Sequence, residues 1–432
     1  MTLIRLFVGR LLTGGQDLGR RYAHLNWALL DQIIVSGSNF ALGVIIARCL
    51  GIEAFGVFSL AWLVVLFTQS LQTALVLAPM MTIGPKQAEG DAGAYYAVVL
   101  IHQCMLAAIA SGLVLLIVGN GGLFGLPEAA TQLALPIALA TLLVQLQEFL
   151  RRYNFTLGAS ERVAIADMVR YGGLIGTMLI AVTTSSEMPG VDLVLYLVAA
   201  SAGISALTML AGRPELQGWS QQFAAVTRRH ARFSRWTVGS ALLFWTTGNI
   251  VVVAAGALLG AHAAGALKAG QALMAVTHVF FQTAESVIPP RAARIFHQGG
   301  KSALRDFTRR VMIVGAVVTG IACVLLALPG EFWLAALFGA DYAGYGFLVA
   351  GFGLYYFLSA CVQPLRWALQ AAEATRADFI AYAAGAAFTL ITCYPLVNAF
   401  GLAGAIICII GSQALMLVWL FFQYRSFMRS PG

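Results

Sequence analysis

Residues 27–56 read W-A-L-L-D-Q-I-I-V-S-G-S-N-F-A-L-G-V-I-I-A-R-C-L-G-I-E-A-F-G, a membrane-length apolar run that carries Asp31, Gln32, Asn39 and Arg48. It ends in a short L-G-x-x-A-x-G link into a second apolar run. The same frame returns later in the chain. Trp236 answers Trp27, Leu259 and Gly260 answer Leu50 and Gly51, Ala263 answers Ala54, and Gly265 answers Gly56. Each pair lies 209 residues apart, close to half of the 432-residue chain. A constant offset of that size points to an internal duplication, and a parallel repeat is one of the ways in which transporters are built.

Composition sets the class. Hydrophobic residues make up 60% of the chain and charged residues 10%, with a mean hydropathy of +0.83. A water-soluble chain of this length needs far more charge to cover its surface. The expected class is an all-α polytopic membrane protein. The 45 glycines fit it, since small residues let helices approach closely within lipid. The six cysteines, Cys49, Cys104, Cys323, Cys361, Cys393 and Cys408, sit in apolar runs without metal spacing and read as small packing residues.

Twelve apolar segments of bilayer length are expected, near 26–50, 55–83, 94–118, 129–150, 163–185, 190–211, 237–259, 263–288, 309–329, 343–365, 376–398 and 401–424. Period-2 alternation, the mark of a membrane β-barrel, is missing. The domain reading is an amphipathic basic segment at 1–25, a first lobe of six spans at 26–211, a basic linker at 212–236, a second lobe of six spans at 237–424 and a tail at 425–432. The first segment resembles a helix that lies on a membrane surface.

Orientation follows from charge. Of the 26 basic residues, 23 fall in the segments that twelve spans place on the cytoplasmic side. The opposite loops carry Glu53, Glu128, Glu187, Glu331 and Asp341. This is a positive-inside pattern with both termini cytoplasmic. It accounts for the net charge of +8 without a nucleic-acid partner. No Walker G-x-x-x-x-G-K-[ST] sequence is present, so the chain is not expected to hydrolyse nucleotide itself.

The three basic residues left within spans are Arg48, Arg170 and Lys268, and the acidic ones within or near spans are Asp31, Glu148, Asp167, Glu285 and Asp378. A mid-bilayer charge costs about 2.5–3.5 kcal/mol on insertion scales, and a transport cavity is the usual reason to keep one. On the eighth segment, Lys268, Gln271, His278, Gln282 and Glu285 fall on one helical stripe. Gln69, Gln72 and Thr73 hold a comparable face of the second segment. Two readings stand: the stripes face a central polar cavity, or they pair with neighbouring helices. Arg170 likewise reads as a cation for an anionic headgroup or as the partner of Asp31 or Asp167 in an ion pair. Arg48 reads as a cavity residue or as one that snorkels to the interface. Glu148 and Asp378 read as interface residues. Asp31, Asp167 and Glu285 are the candidates for H+ or Na+ coupling, since buried carboxylates can titrate near neutrality. Pro79 and Pro289 close the second and eighth segments at nearly matching repeat positions and are candidate bending points.

The motif D-Q-x-x-x-S-x-x-N-F (Asp31 to Phe40) precedes the turn A-R-x-L-G-x-x-x-F-G (Ala47 to Gly56). The motif R-R-Y-x-x-x-x-G-A-S-x-R (Arg151 to Arg162) is echoed by Arg366 to Arg376. With the Pro-terminated second segment, this resembles the polysaccharide transporter, or Wzx-like flippase, branch of the multidrug/oligosaccharidyl-lipid/polysaccharide (MOP) exporter superfamily. The resemblance covers the whole chain in architecture. It implies two six-helix bundles that rock between inward- and outward-open states. The implied substrate is an undecaprenyl-diphosphate-linked oligosaccharide, such as an O-antigen, capsule or exopolysaccharide repeat unit. It would be moved across a bacterial inner membrane. The cavity set on that reading is Arg170, Lys268, His278, Gln271, Gln282, Arg48, Gln69, Gln72 and Asn39. The chain is expected to be monomeric, to need no cofactor or metal, and to work beside polysaccharide polymerase or export proteins. Three alternatives stay open: a multidrug cation antiporter of the same superfamily, a lipid II flippase, and a non-transporting scaffold of a polysaccharide synthase complex.

Overall fold

The computed structural model describes residues 16–430 apart from 126, 185–188, 211–213, 215–217 and 373, and within that range it describes the backbone alone at 16–34, 89–90, 124, 182, 236, 276, 278–283, 285–287, 290 and 375. Every element among the described residues is helical. Nine helices there are long and apolar enough to cross a membrane. Two of them, Val35–Lys86 and Arg376–Arg429, break at Gly51 and Gly401 and hold two spans each. The stretch from Ala261 to the break at Gly300 supplies the twelfth.

The spans are α1 (16–50), α2 (52–83), α3 (Glu89–Gly119), α4 (Ala134–Thr156), α5 (Ser160–Thr184), α6 (Val191–Met209), α7 (Trp219–Leu259), α8 (261–299), α9 (301–327), α10 (Gly346–Ala371), α11 (375–400) and α12 (402–429). Short helices, Glu128–Thr131 and Gly330–Phe338, sit at the acidic end of the bundle. The expected cytoplasmic loop between segments eight and nine is instead helix on both sides of Gly300. A hydropathy window stops where charges begin, whereas a helix continues past the bilayer as long as its backbone bonds are met. For the same reason α4 runs to Thr156, beyond the expected end at 150, and carries Arg151 and Arg152 with it.

The internal repeat appears in the backbone. Gly51 (φ 74°, ψ 171°) and Gly260 (φ 93°, ψ 168°) form equivalent elbows between α1 and α2 and between α7 and α8. That conformation is essentially restricted to glycine. One turn further on, Gly56 and Gly265 meet face to face. A Cβ on Gly56 would lie 1.7 Å from the Ala261 carbonyl oxygen, and one on Gly265 would lie 2.2 Å from that of Ile52. Ile52 and Ala261 are themselves a repeat pair, so the contact is reciprocal, as expected about a two-fold axis. The halves also meet through Phe55 and Tyr342, with ring centroids 6.4 Å apart. All of these contacts lie at the end that carries Glu53 and Asp341.

Pro79 shapes α2. It lacks the N–H that would bond the Leu75 carbonyl, and a π-helical turn spans Thr73–Leu77 just before it. The Ser234 hydroxyl donates to the Leu75 carbonyl (3.4 Å) and Thr237 donates to Ala74 (2.9 Å). Both belong to α7, whose 41 residues reach about 60 Å, well over a bilayer core. Its first half, 219–236, lies outside the span and packs on α2 and α3 at the basic end.

That docking holds a pH-dependent contact. His230 Nε2 meets the Tyr95 hydroxyl at 2.9 Å, and the His102 and His230 rings lie 5.7 Å apart. Burial first, then the proximity of His102, pushes the His230 pKa from 6.5 down to about 4. His230 is therefore neutral when docked and free to protonate when undocked. Docking should be at full strength above about pH 6.5 and should weaken as pH falls from there towards 4. Hydrogen exchange of amides 222–234, corrected for its intrinsic pH dependence, should rise between pH 7 and pH 5. The rise should vanish in His230→Gln, and an identical rise in that variant would contradict the assignment.

Candidate functional site

A cavity of about 710 Å³ lies between the halves, within the roughly 300–1,000 Å³ of small-ligand sites. The elements α1, α2, α4, α5 and α6 form most of its wall, and α8 and α10 close it from the other half. Asn39, Gln69, Arg170, Lys268 and Gln271 line it. The side chains of Asp31, His278, Gln282 and Glu285 lie outside the described residues.

The cations in this cavity differ in how they are held. Arg151 Nε sits 2.6 Å from Asp167 Oδ2, and Arg152 Nε sits 2.6 Å from Glu148 Oε1. Arg170 donates from Nη1 to the Gln147 side-chain oxygen at 2.6 Å and lies over the Tyr171 ring, 5.2 Å from its centroid. Lys268 donates to the Gln271 side-chain oxygen at 3.0 Å. Among the described residues, neither Arg170 nor Lys268 forms an ion pair. Among the described side chains, these four cations face two carboxylates, Glu148 and Asp167, which leaves two positive charges in excess there.

Several sequence expectations are corrected here. Asp167 is fully buried and pairs with Arg151, while Arg170 takes an amide partner. Arg151, one of the 23 basic residues expected in cytoplasmic segments, is 8% exposed and lines the cavity. Glu148, read as an interface residue, also lines it. Gln72 does not. It is fully buried in the first half and donates to Gln103 (3.0 Å) and to the Gln145 carbonyl (2.7 Å). The period of a polar stripe reports a shared face, and here the face of α2 divides: Gln69 and Thr73 point to the cavity and Gln72 to α3 and α4. Arg48 is exposed and donates to the Ala336 carbonyl at 3.1 Å, which places it at the acidic-end seam and outside the cavity.

The Arg151–Asp167 pair links α4 to α5. Its mate, Arg366–Asp378, links α10 to α11, with Arg366 Nε 2.6 Å from Asp378 Oδ1. Each half thus carries one arginine–aspartate clamp at its basic end. The sequence signal was the pair of Arg-rich stretches at 151–162 and 366–376, although spacing alone did not identify the acidic partners.

No protein-family model matches the chain, and no curated protein aligns with it. Solved structures do resemble it. One, titled an inward-facing conformation of a multidrug resistance MATE family transporter of the MOP superfamily, is 14% identical with a TM-score of 0.67, covering 100% of this chain and 99% of that one. The lipid II flippase MurJ in an inward closed conformation is 10% identical with a TM-score of 0.64, covering 92% and 87%. An outward-facing MATE structure is 13% identical with a TM-score of 0.58, covering 97% of both chains. At these identities the likeness shows the fold alone, an all-helical membrane bundle shared with these MATE and MurJ structures.

Proposed function

We propose that this chain is a MOP-type transporter, and within that class a Wzx-like flippase for an undecaprenyl-diphosphate-linked oligosaccharide. It would carry the lipid-linked glycan from the cytoplasmic to the outer leaflet of a bacterial inner membrane by alternating access. The observation that carries this reading is the state of Arg170 and Lys268. Two cations in an interlobe cavity are held by amides and an aromatic face. A buried charge needs an opposite charge or dense hydrogen bonding to offset its desolvation. A diphosphate diester bears one negative charge on each phosphorus, which matches the excess of two among the described side chains. Arginine suits it because the planar guanidinium can bond two phosphate oxygens at once. The close approach of Gly56 and Gly265 at the acidic end supports a state closed on that side, which on this reading is the outer one. The higher score against the inward-facing MATE structure than against the outward-facing one agrees.

The substrate enters by its headgroup while its polyprenyl tail stays in lipid between the halves. No covalent step is involved. Glu148 and Asp167 hold Arg152 and Arg151 in place until substrate arrives, and Asp167 remains a candidate for coupling to H+ or Na+. The chain acts as a monomer and passes its product to polymerase or export proteins. A multidrug cation antiporter would call for a free carboxylate in the cavity, and the described carboxylate that lines it, Glu148, is paired with Arg152.

Deletion of the gene tests this reading. Lipid-linked glycan should accumulate inside the cell and surface polysaccharide should be lost, with both restored by the wild-type chain. Accumulation should persist with Arg170→Ala/Lys268→Ala at normal protein abundance. Intact glycan export in the deletion strain would reject the flippase, and the drug-antiporter and scaffold readings would then be tested by efflux and by co-purification.

A further inference from the structure

A second cavity, about 850 Å³, lies in the second half among α7, α10, α11 and α12. It is the repeat counterpart of the cationic cavity, because α7, α10 and α11 stand where α1, α4 and α5 stand in the first half. The Arg366–Asp378 clamp lines it as Arg151 lines the other. The chemistry, however, has diverged.

The wall here is aromatic: Phe244, Tyr355, Tyr356, Phe379 and Tyr382. Phe244 and Tyr382 meet edge to face with centroids 6.0 Å apart. The Arg366 guanidinium lies 5.0 Å from the Tyr382 ring centroid while it donates to both Asp378 oxygens, at 2.6 and 3.1 Å. That cation is neutralised in place. Between the rings stand neutral hydrogen-bonding groups, Ser359, Gln363 and Gln413. Arg376, an exposed residue on the same wall, adds one positive charge. Flat apolar faces alternating with amides and hydroxyls therefore make a weaker diphosphate site than the first cavity with its two excess cations among the described residues. An organic cation, which aromatic walls can attract, would have to compete with Arg366 already seated over Tyr382. A pyranose fits better. Its C–H faces stack on aromatic rings, and its vicinal hydroxyls pair with amide groups that donate and accept side by side. Tyr356 lines both cavities, so one molecule with an anionic part and a sugar part can reach from one to the other.

We propose that the second-half cavity is the glycan subsite, so that the two repeats divide one substrate: diphosphate against Arg170 and Lys268, sugars against Tyr355, Tyr356 and Tyr382. This assignment rests on the flippase reading above. It also gives a physical reason for a duplicated fold to keep one cationic and one aromatic copy of the same pocket.

The test uses the full chain in nanodiscs and three probes: lipid-linked glycan extracted from the deletion strain, the free glycan released from it by mild acid, and bare undecaprenyl diphosphate. Wild type should bind all three, the intact molecule most tightly. Tyr355→Ala/Tyr382→Ala should weaken binding of free and intact glycan by roughly tenfold or more. Bare undecaprenyl diphosphate should bind that variant as it binds wild type, which also shows that the variant is folded. Tyr382→Phe should retain glycan binding. Arg170→Gln should lose the bare diphosphate and keep the free glycan. If the double tyrosine variant binds free glycan like wild type, the subsite is elsewhere and the flippase reading stands. If the deletion strain accumulates no lipid-linked glycan, or wild type binds none of the three probes, the flippase reading fails and the subsite falls with it.

Discussion

Arg151→Ala should lower the stability of this protein by about 3–5 kcal/mol, the range seen when one partner is removed from a buried ion pair. The substitution leaves Asp167, which is fully buried, facing the Gln147 amide at 3.1 Å without its cation. In a thermal melt of the detergent-purified protein the midpoint should fall by roughly 5–10 °C. Arg151→Met/Asp167→Leu should recover most of that loss, because paired apolar replacements remove the stranded charge along with its partner. Glycan export should stay low in the double variant, since Arg151 also lines the substrate cavity. A melt unchanged by Arg151→Ala would show that Asp167 is satisfied without it.

Gly265→Leu should abolish transport. The Cβ alone would lie 2.2 Å from the Ile52 carbonyl oxygen and 3.1 Å from the Gly56 nitrogen. Both neighbours are backbone, so no side chain can swing aside. The elbows must separate, and the acidic-end seam cannot close. Phe55→Cys placed in the Gly265→Leu chain should then react with a membrane-impermeant maleimide from outside the cell. In an otherwise wild-type chain that position is 4% exposed and should react slowly. Gly176→Ala, where nothing lies within 4 Å of the added Cβ, is the matched control and should transport normally. Export by Gly265→Leu at the wild-type rate would show that this close approach is dispensable to the cycle.

The sequence and the structure agree where the physics is local. The 209-residue offset singles out Gly51 and Gly260, and both hold a glycine-only conformation. Hydropathy found the spans because a bilayer demands apolar length. Charge partners were less legible. Arg151 and Arg152 look like loop charges in sequence because they follow the continuous apolar run that ends at Leu150. A helix that continues to Thr156 turns Arg151 inward to Asp167. Gln72 shows the converse limit, since a polar stripe cannot reveal whether water or another helix faces it. The second-half cavity left no sequence signal at all. Its aromatic residues come from α7, α10 and α11, and each taken alone is an ordinary membrane side chain.

Division of labour between the two repeats also bears on mechanism. If phosphate charge is neutralised in the first half and sugar is stacked in the second, the substrate itself bridges the lobes. Rocking would then move both of its polar parts together while the prenyl tail slides through lipid. The linker helix 219–236 packs on α3 through His230 and Thr227 and on α2 through Ser234, at the π turn of Thr73–Leu77. It is therefore placed where bending of α2 would be felt.

The central claim is tested most directly with purified protein in proteoliposomes loaded with the extracted lipid-linked glycan. The leaflet distribution of the glycan is followed with a membrane-impermeant sugar-oxidising reagent. Wild-type protein should move the glycan between leaflets far faster than empty liposomes do, and Arg170→Ala/Lys268→Ala should reduce the rate to the empty-liposome level. Equal rates for wild-type and empty liposomes would contradict the flippase. Equal rates for wild type and the double variant would contradict the cationic cavity as its phosphate site.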